Sequence, residues 1–524
     1  MAAAQDKQTG LLGLIERAGN KLPDPVFIFL WLIGFLVAGS VIAELLNFSA
    51  PHPTELGEDG APKLISAVSI LSPDNIRRVW VEMPQTFTHF HPLGYVLVVM
   101  LGAGVAERSG LFAAAMRAGV RGVPKMWLTP AVAFVGMMGN LAADAAYVVL
   151  IPLAGVLYAA AGRHPIAGIA AAFAGVAGGF SANLLPGQLD ALLFGITETA
   201  AEQIVPSWDA NIAGNWFFIA AMLIVFLPVI WFVTDRLIEP RLQRFSPPDG
   251  AAMANVGDSD APLSALEKKG LVRAGLAAVA IVALWAFFTF GPGTPLIDED
   301  SATPEGRLTP FYKSLVAAFM LLFLAAGWAY GAATGTVKNH RDVVHMMAGA
   351  MGDLSYYLVL AFAAAHFVAM FNWSNLGLIF AVQGADAIGD SGLPMPVLLA
   401  LIVVFSSGVN LVIGSASAKW ALLAPVLVPM MMLLGVSPEM STAAYRVGDG
   451  ATNIITPLMV YFPLVLTFCQ RWRTNFGLGS LTAAMLPYSI WLLIVGMALT
   501  FGWVFLDLPL GPGASVYYAL PAAE

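Results

Sequence analysis

Run after run of about twenty apolar residues follows along this chain, and that is the length an α-helix needs to cross the hydrocarbon core of a bilayer. The composition agrees. Of 524 residues 58% are hydrophobic and only 11% charged, where a soluble protein carries about 25% charged residues. The chain is therefore read as an all-α polytopic membrane protein. No basic tract suggests nucleic acid, and the net charge of −8 reflects acidic residues concentrated in a few loops. Cys469 is the single cysteine, so no internal disulfide is possible. The segment Met1 to Lys21 lacks the pattern of a secretory signal peptide, and Val26 to Leu46 reads as an uncleaved span.

Nine crossings are expected, at about 26–46, 93–116, 165–195, 216–235, 270–291, 312–334, 356–372, 438–468 and 482–508. Two further apolar regions, 126–162 and 394–434, are too long for one upright helix and are interrupted midway by Asn and small residues. They read as re-entrant hairpins, since irregular backbone at membrane depth is tolerated only where protein or a water-filled cavity surrounds it. The positive-inside rule fits this count, with Arg77 and Arg78 in the outer loop as minor exceptions. Lys7, Arg17 and Lys21 place the N-terminus in the cytoplasm, with Arg117, Arg121, Lys125, Arg236, Arg241, Lys268, Lys338 and Arg471 on the same side. Arg163 joins them only if 126–162 turns back. The C-terminal tail, without Lys or Arg, falls outside.

The interrupted regions are built alike. The first runs from Gly139-Asn140 and Asp144 through Pro152 and Pro165 to Asn183 and Pro186. The second runs from Asn410, Gly414, Ser415 and Ser417 through Pro425 and Pro438 to Asn453 and Pro457, with the same interval between its two middle prolines. Duplicated, interrupted hydrophobic segments point to the midplane site of a secondary transporter with inverted halves. The halves are expected at 1–244 and 292–524, joined by a linker and fifth span at 245–291.

Polar groups inside such spans are candidates for chemistry, because an intramembrane charge costs several kcal/mol on insertion scales. Arg446 and Asp449 lie three residues apart in the eighth span, a spacing that lets them pair on one helix face. The bland reading is a structural ion pair; the functional one makes Asp449 a cation ligand or proton carrier and Arg446 a fork for a substrate carboxylate. Asn140, Asp144, Asn410, Gly414 and Ser417 sit at the two tips, where side-chain oxygens and freed carbonyls suit a hard cation such as Na⁺. Equally, Asn and Ser serve as hydrogen-bonding glue between helices. Asp190 follows the break at Pro186-Gly187, facing either a cavity or outer water. Trp420 either stacks on an aromatic substrate or packs, and His366 reads as a core histidine. Glu107-Arg108 reads as a local pair.

No enzyme is expected. No Gly precedes a Lys, so there is no Walker A loop, and no His is followed by Glu, so the HExxH motif is missing. Arg446 stands where an intramembrane aspartyl protease would need Gly. An ion channel remains the rival from another class, because hairpins also build filters.

Long motifs then carry a resemblance: Gly162 to Gly168, Ala171 to Asn183, Asn410 to Trp420 and Ala444 to Pro457, with Leu22-Pro23-Asp24-Pro25 at the opening. Over residues 10 to 513 the chain resembles the AbgT family of p-aminobenzoyl-glutamate transporters, within a wider ion-transporter superfamily. The resemblance implies nine spans and two hairpins, a homodimer in the bacterial inner membrane, and a basin open to the cytoplasm. It implies transport of p-aminobenzoyl-glutamate or export of sulfonamides that mimic p-aminobenzoate, driven by Na⁺ or H⁺ and without a cofactor; a Na⁺-coupled dicarboxylate symporter is the alternative. Family path residues map onto Asp190, Trp420, Pro438, Arg446 and Asp449. Cation ligands of the superfamily map onto Asn140, Asn183, Asn410, Asp449 and Asn453, with Na⁺ expected at Asn410, Asp449 and Asn453. Lys419 departs from the Gln expected there; it either changes substrate preference or points to water.

Overall fold

The computed structural model describes residues 24–56, 62–120, 122–142, 145–242, 263–300, 307–459 and 461–521. Asp144, the segment before Asp24 and residues 243–262 of the inter-half linker lie outside them, and the expectations placed there go no further. Among the described residues seven helices are long and apolar enough to cross a membrane, or eight if a bent pair is one span. Six of the seven coincide with expected crossings: those beginning at Val26, Trp216, Ala265, Leu315, Ser355 and Leu478. The seventh, Ala416–Leu433, falls within the second expected hairpin, yet is long and apolar enough to cross alone.

The second expected crossing is not one rod. His91–Arg108 and Leu111–Val120 meet at 64°, because Gly110 takes φ +90° between them, a left-handed conformation that glycine adopts without steric cost. The third and eighth crossings are each broken midway. Pro165–Phe173 runs through a π turn, Ala174–Gly178, and stops; helix resumes at Gln188–Ala201. Pro438–Asn453 stops and Phe462–Trp472 follows. Both interrupted regions are helix–break–helix: Leu128–Met138 with Ala145–Ala160, and Met395–Asn410 with Ala416–Leu433. The duplicated prolines hold matching positions. Pro152 and Pro425 lie inside the return helices, while Pro165 and Pro438 open the helices that follow, where a missing N–H costs nothing.

Outside the apolar core lie smaller elements that hydropathy alone does not reveal. An antiparallel pair of strands, Ser49–Leu56 and Pro62–Ser66, follows the first span. His340–Asp353 is a polar helix begun by a capping box between Asn339 and Asp342. Arg108 pairs with Asp353 of that helix at 2.5 Å.

Arg163 ties the first hairpin to its neighbours. Its guanidinium donates to Glu239 and Asp235 at 2.5 Å each and to Thr129 Oγ1 at 2.8 Å, and lies 4.4 Å from the Tyr158 ring centre. The arginine is 7% exposed, Asp235 29% and Glu239 25%. The network therefore sits between an exposed pair, worth under about 1 kcal/mol, and a buried one, whose breakage costs about 3–5 kcal/mol. Arg163→Ala is expected to cost about 2–3 kcal/mol of stability by the same reasoning. A melting curve in detergent indistinguishable from wild type would contradict this.

Candidate transport site

Pro438–Asn453 is the axis of the site. All sixteen of its residues are buried, although they include Glu439, Arg446, Asp449 and Asn453. A polar helix can be buried like this only if neighbouring elements meet its polar groups. They do so at two charged centres.

The first centre is at the second tip. Lys419, in the return arm, is fully buried and directs its ammonium onto Asn410 Oδ1 and Asp449 Oδ1. Asn410 Nδ2 faces the Asp449 carbonyl at 2.7 Å, Thr452 Oγ1 at 2.8 Å and Asn453 Oδ1 at 2.9 Å. Ser407 Oγ reaches the Gly448 carbonyl at 3.2 Å. Asn410, Asp449 and Asn453, singled out as a group from the sequence, are thus in mutual contact. Lys419 does not point to water.

The second centre is Arg446. It does not pair with Asp449 despite their i, i+3 spacing. Its Nη2 donates to Asp190 Oδ1 at 2.7 Å, and Asp190 Oδ2 accepts from the Gly187 N–H at 2.7 Å. Asp190 is therefore 4% exposed and caps the helix that restarts after the break; it does not face outer water. Among the described residues Arg446 Nε has no hydrogen-bond partner.

The first tip has a different character. Asn140 Nδ2 donates to the carbonyls of Met137 at 3.0 Å and Gly179 at 3.3 Å, and Asn183 Nδ2 also reaches Met137 at 3.2 Å. Their oxygens, Asn140 Oδ1 and Asn183 Oδ1, and Ser181 Oγ are buried with no partner among the described residues. The two broken spans meet where Gly450 approaches the Gly178 carbonyl; a Cβ at 450 would stand 3.0 Å from it.

Other expected residues lie outside these two centres. Trp420 is fully buried, stacks on Tyr445 at 4.5 Å and donates to Thr197 Oγ1 at 2.9 Å. Thr197 also meets Thr442 at 2.9 Å, a polar seam between the helices that nothing in the local sequence announces. Gly414 lets the second tip touch the break after Asn453: a Cβ there would lie 2.5 Å from the Leu458 carbonyl. Ser417 contacts Ser415 at 3.3 Å. Pro438 opens the central helix behind its cap Ser437, about 12 Å along the axis from Arg446 at 1.5 Å per residue, so it is not brought into either centre. His366 bonds Phe362 O at 2.7 Å, as a core histidine does.

Gly448 is required by packing. A Cβ there would stand 2.1 Å from Ser406 Oγ and 2.2 Å from the Val403 carbonyl. Gly-to-Ala inside a helix ordinarily stabilises by roughly 0.5–1 kcal/mol, but the clash reverses the sign. Gly448→Ala is expected to cost about 1–3 kcal/mol, read as a lowered melting temperature in detergent; a raised one would contradict the packing.

A cavity of about 440 Å³ opens among Glu82, His89, His91 and Glu202, with no residue of either charged centre in its lining. A second, of about 550 Å³, is lined by Glu107, Asn140, Gln188, Leu189, Leu192 and Tyr357. We regard this second one as the relevant space, because it joins the first tip to the start of the helix that carries Asp190. Its size suits a small organic molecule.

Broken apolar helices around buried, paired charges, with a cavity against the first tip and the helix that carries Asp190, are the features of a multi-pass membrane transporter of small molecules. Residues 10–518 match the model of the "AbgT putative transporter family". The chain belongs to the AbgT family. It is 36% identical over 509 residues to the p-aminobenzoyl-glutamate transport protein of Escherichia coli (strain K12), covering 96% of both chains. Two solved structures are also similar. The YdaH transporter of Alcanivorax borkumensis matches with a TM-score of 0.85 and 42% identity, over 94% of this chain and all of that one. MtrF of Neisseria gonorrhoeae, from a class of antimetabolite efflux pumps, matches with a TM-score of 0.88 and 41% identity, over 96% and 100%.

Proposed function

We propose that the chain is a secondary active transporter of p-aminobenzoyl-glutamate, or an exporter of p-aminobenzoate-like antimetabolites such as sulfonamides, driven by a Na⁺ or proton gradient. The relatives' names supply the substrate class. The observation that carries the reading is Arg446: a buried guanidinium held by one carboxylate, with its Nε–H free among the described residues. A planar fork of this kind suits a substrate carboxylate. Exchange of Asp190 for that carboxylate keeps the arginine paired throughout, and Asp190 keeps its bond to Gly187. The ring of an aromatic carboxylate then rests among Leu189, Leu192 and Tyr357 of the adjoining cavity.

The scaffold we propose has nine crossings and two hairpins. Residues 1–244 and 292–524 form inverted halves, with 245–291 as linker and fifth span. The N-terminus lies in the cytoplasm and the C-terminus in the periplasm of a bacterial inner-membrane homodimer. Asn140 and Asn183 serve the cation side of the first half, and Asp449 that of the second. The reading is tested by flux of labelled p-aminobenzoyl-glutamate in proteoliposomes. Saturable flux competed by unlabelled substrate supports it; a linear, uncompeted flux would indicate a channel.

A further inference from the structure

Sodium is the cation expected at Asn410, Asp449 and Asn453, and the residues present do not fit it. A sodium ion needs several oxygens converging without donors between them. Here the ammonium of Lys419 lies against Asn410 Oδ1 and Asp449 Oδ1. The amide of Asn410 faces the Asp449 carbonyl, Thr452 Oγ1 and Asn453 Oδ1. Asn410 Oδ1 and Asp449 Oδ1 are thus taken by the ammonium, and the two N–H bonds of the Asn410 amide are shared among the other three oxygens. A lysine ammonium has three donors and no acceptor, so it satisfies Asn410 Oδ1 and Asp449 Oδ1 as a monovalent cation would. It is attached to the chain, fully buried, and cannot diffuse away. The first half differs: Asn140 Oδ1, Ser181 Oγ and Asn183 Oδ1 have no such donor among the described residues. Among the described residues, two tips that match in sequence thus differ: the second holds an ammonium and the first does not.

We propose that Lys419 is a tethered cation that occupies the second-half ion position, so that no sodium binds at Asp449 in this protein. The inference rests on the reading of the second tip as a cation position, and it narrows that reading: the cation Asp449 holds is part of the chain. Lys419 acts here as a specificity-determining residue. Any free coupling ion must then engage elsewhere, and a second cation entering the tip would meet the repulsion of a buried ammonium that water does not screen.

The test is the number of sodium ions bound per protomer, read with radiolabelled Na⁺ on purified full-length protein in detergent, without substrate. Lys419→Gln replaces the ammonium by an amide and adds an oxygen. It is expected to bind one sodium more per protomer than wild type; equal numbers would overturn the proposal. Should Lys419→Gln fail to yield folded protein, Asp449→Asn decides. Its sodium number is expected to equal that of wild type, and a fall by one would overturn the proposal. Substrate flux, measured separately on the same preparations, reports on the carrier reading, so the two can fail independently.

Discussion

Arg446→Ala is expected to reduce p-aminobenzoyl-glutamate flux by at least about 100-fold, the equivalent of about 2.8 kcal/mol. The residue is 1% exposed and binds Asp190 at 2.7 Å. Truncating it removes the proposed carboxylate ligand and also strands a buried Asp190, at about 3–5 kcal/mol of stability. The two effects separate in the double variant Asp190→Ala with Arg446→Ala. Removing both charges is expected to recover much of the stability, measured as thermal melting in detergent, while flux stays lost. Recovery of flux together with stability would reduce the pair to a structural one. Arg446→Lys keeps the charge but not the fork, so an intermediate flux is expected.

The second large effect is at the knot of Lys419 and Asp449. Asp449→Ala leaves a fully buried ammonium with Asn410 Oδ1 as its one remaining side-chain acceptor among the described residues, and is expected to cost about 3–5 kcal/mol. Replacing both partners by apolar residues of similar size, Lys419→Met with Asp449→Leu, is expected to recover part of that loss but to stay about 1–3 kcal/mol below wild type, because Asn410 Oδ1 then loses its donor. A double variant as unstable as Asp449→Ala would show that the pair is not the dominant interaction at the tip.

Much of the architecture is legible in the sequence because the bilayer imposes it. Apolar run length located the long helices, and the interruptions at Asn140, Asn183, Asn410 and Asn453 located the breaks, because only internally satisfied backbone survives at that depth. Bends escape this reasoning: Gly110 turns the second crossing by a backbone conformation that leaves hydropathy unchanged. The charged residues stand out as costly, yet their partners do not. Arg446 suggested Asp449 by helix spacing, but packing between elements chose Asp190, which lies 256 positions away in the chain. Lys419 was visible as a lone cation in an apolar run; its burial against Asp449 depends on how the second hairpin returns beside the central helix. Thr197 and Thr442 carry no signal at all, since hydroxyl pairs between helices have no local pattern. The small strands at 49–66 lie outside the apolar runs, where the bilayer imposes nothing.

The most direct measurement is flux of labelled p-aminobenzoyl-glutamate into or out of proteoliposomes under an imposed Na⁺ gradient and, separately, under a proton gradient. A coupled carrier predicts saturable flux, competed by unlabelled substrate and stimulated by one of the two gradients. Flux indifferent to both gradients, or no flux of this substrate, would contradict the account.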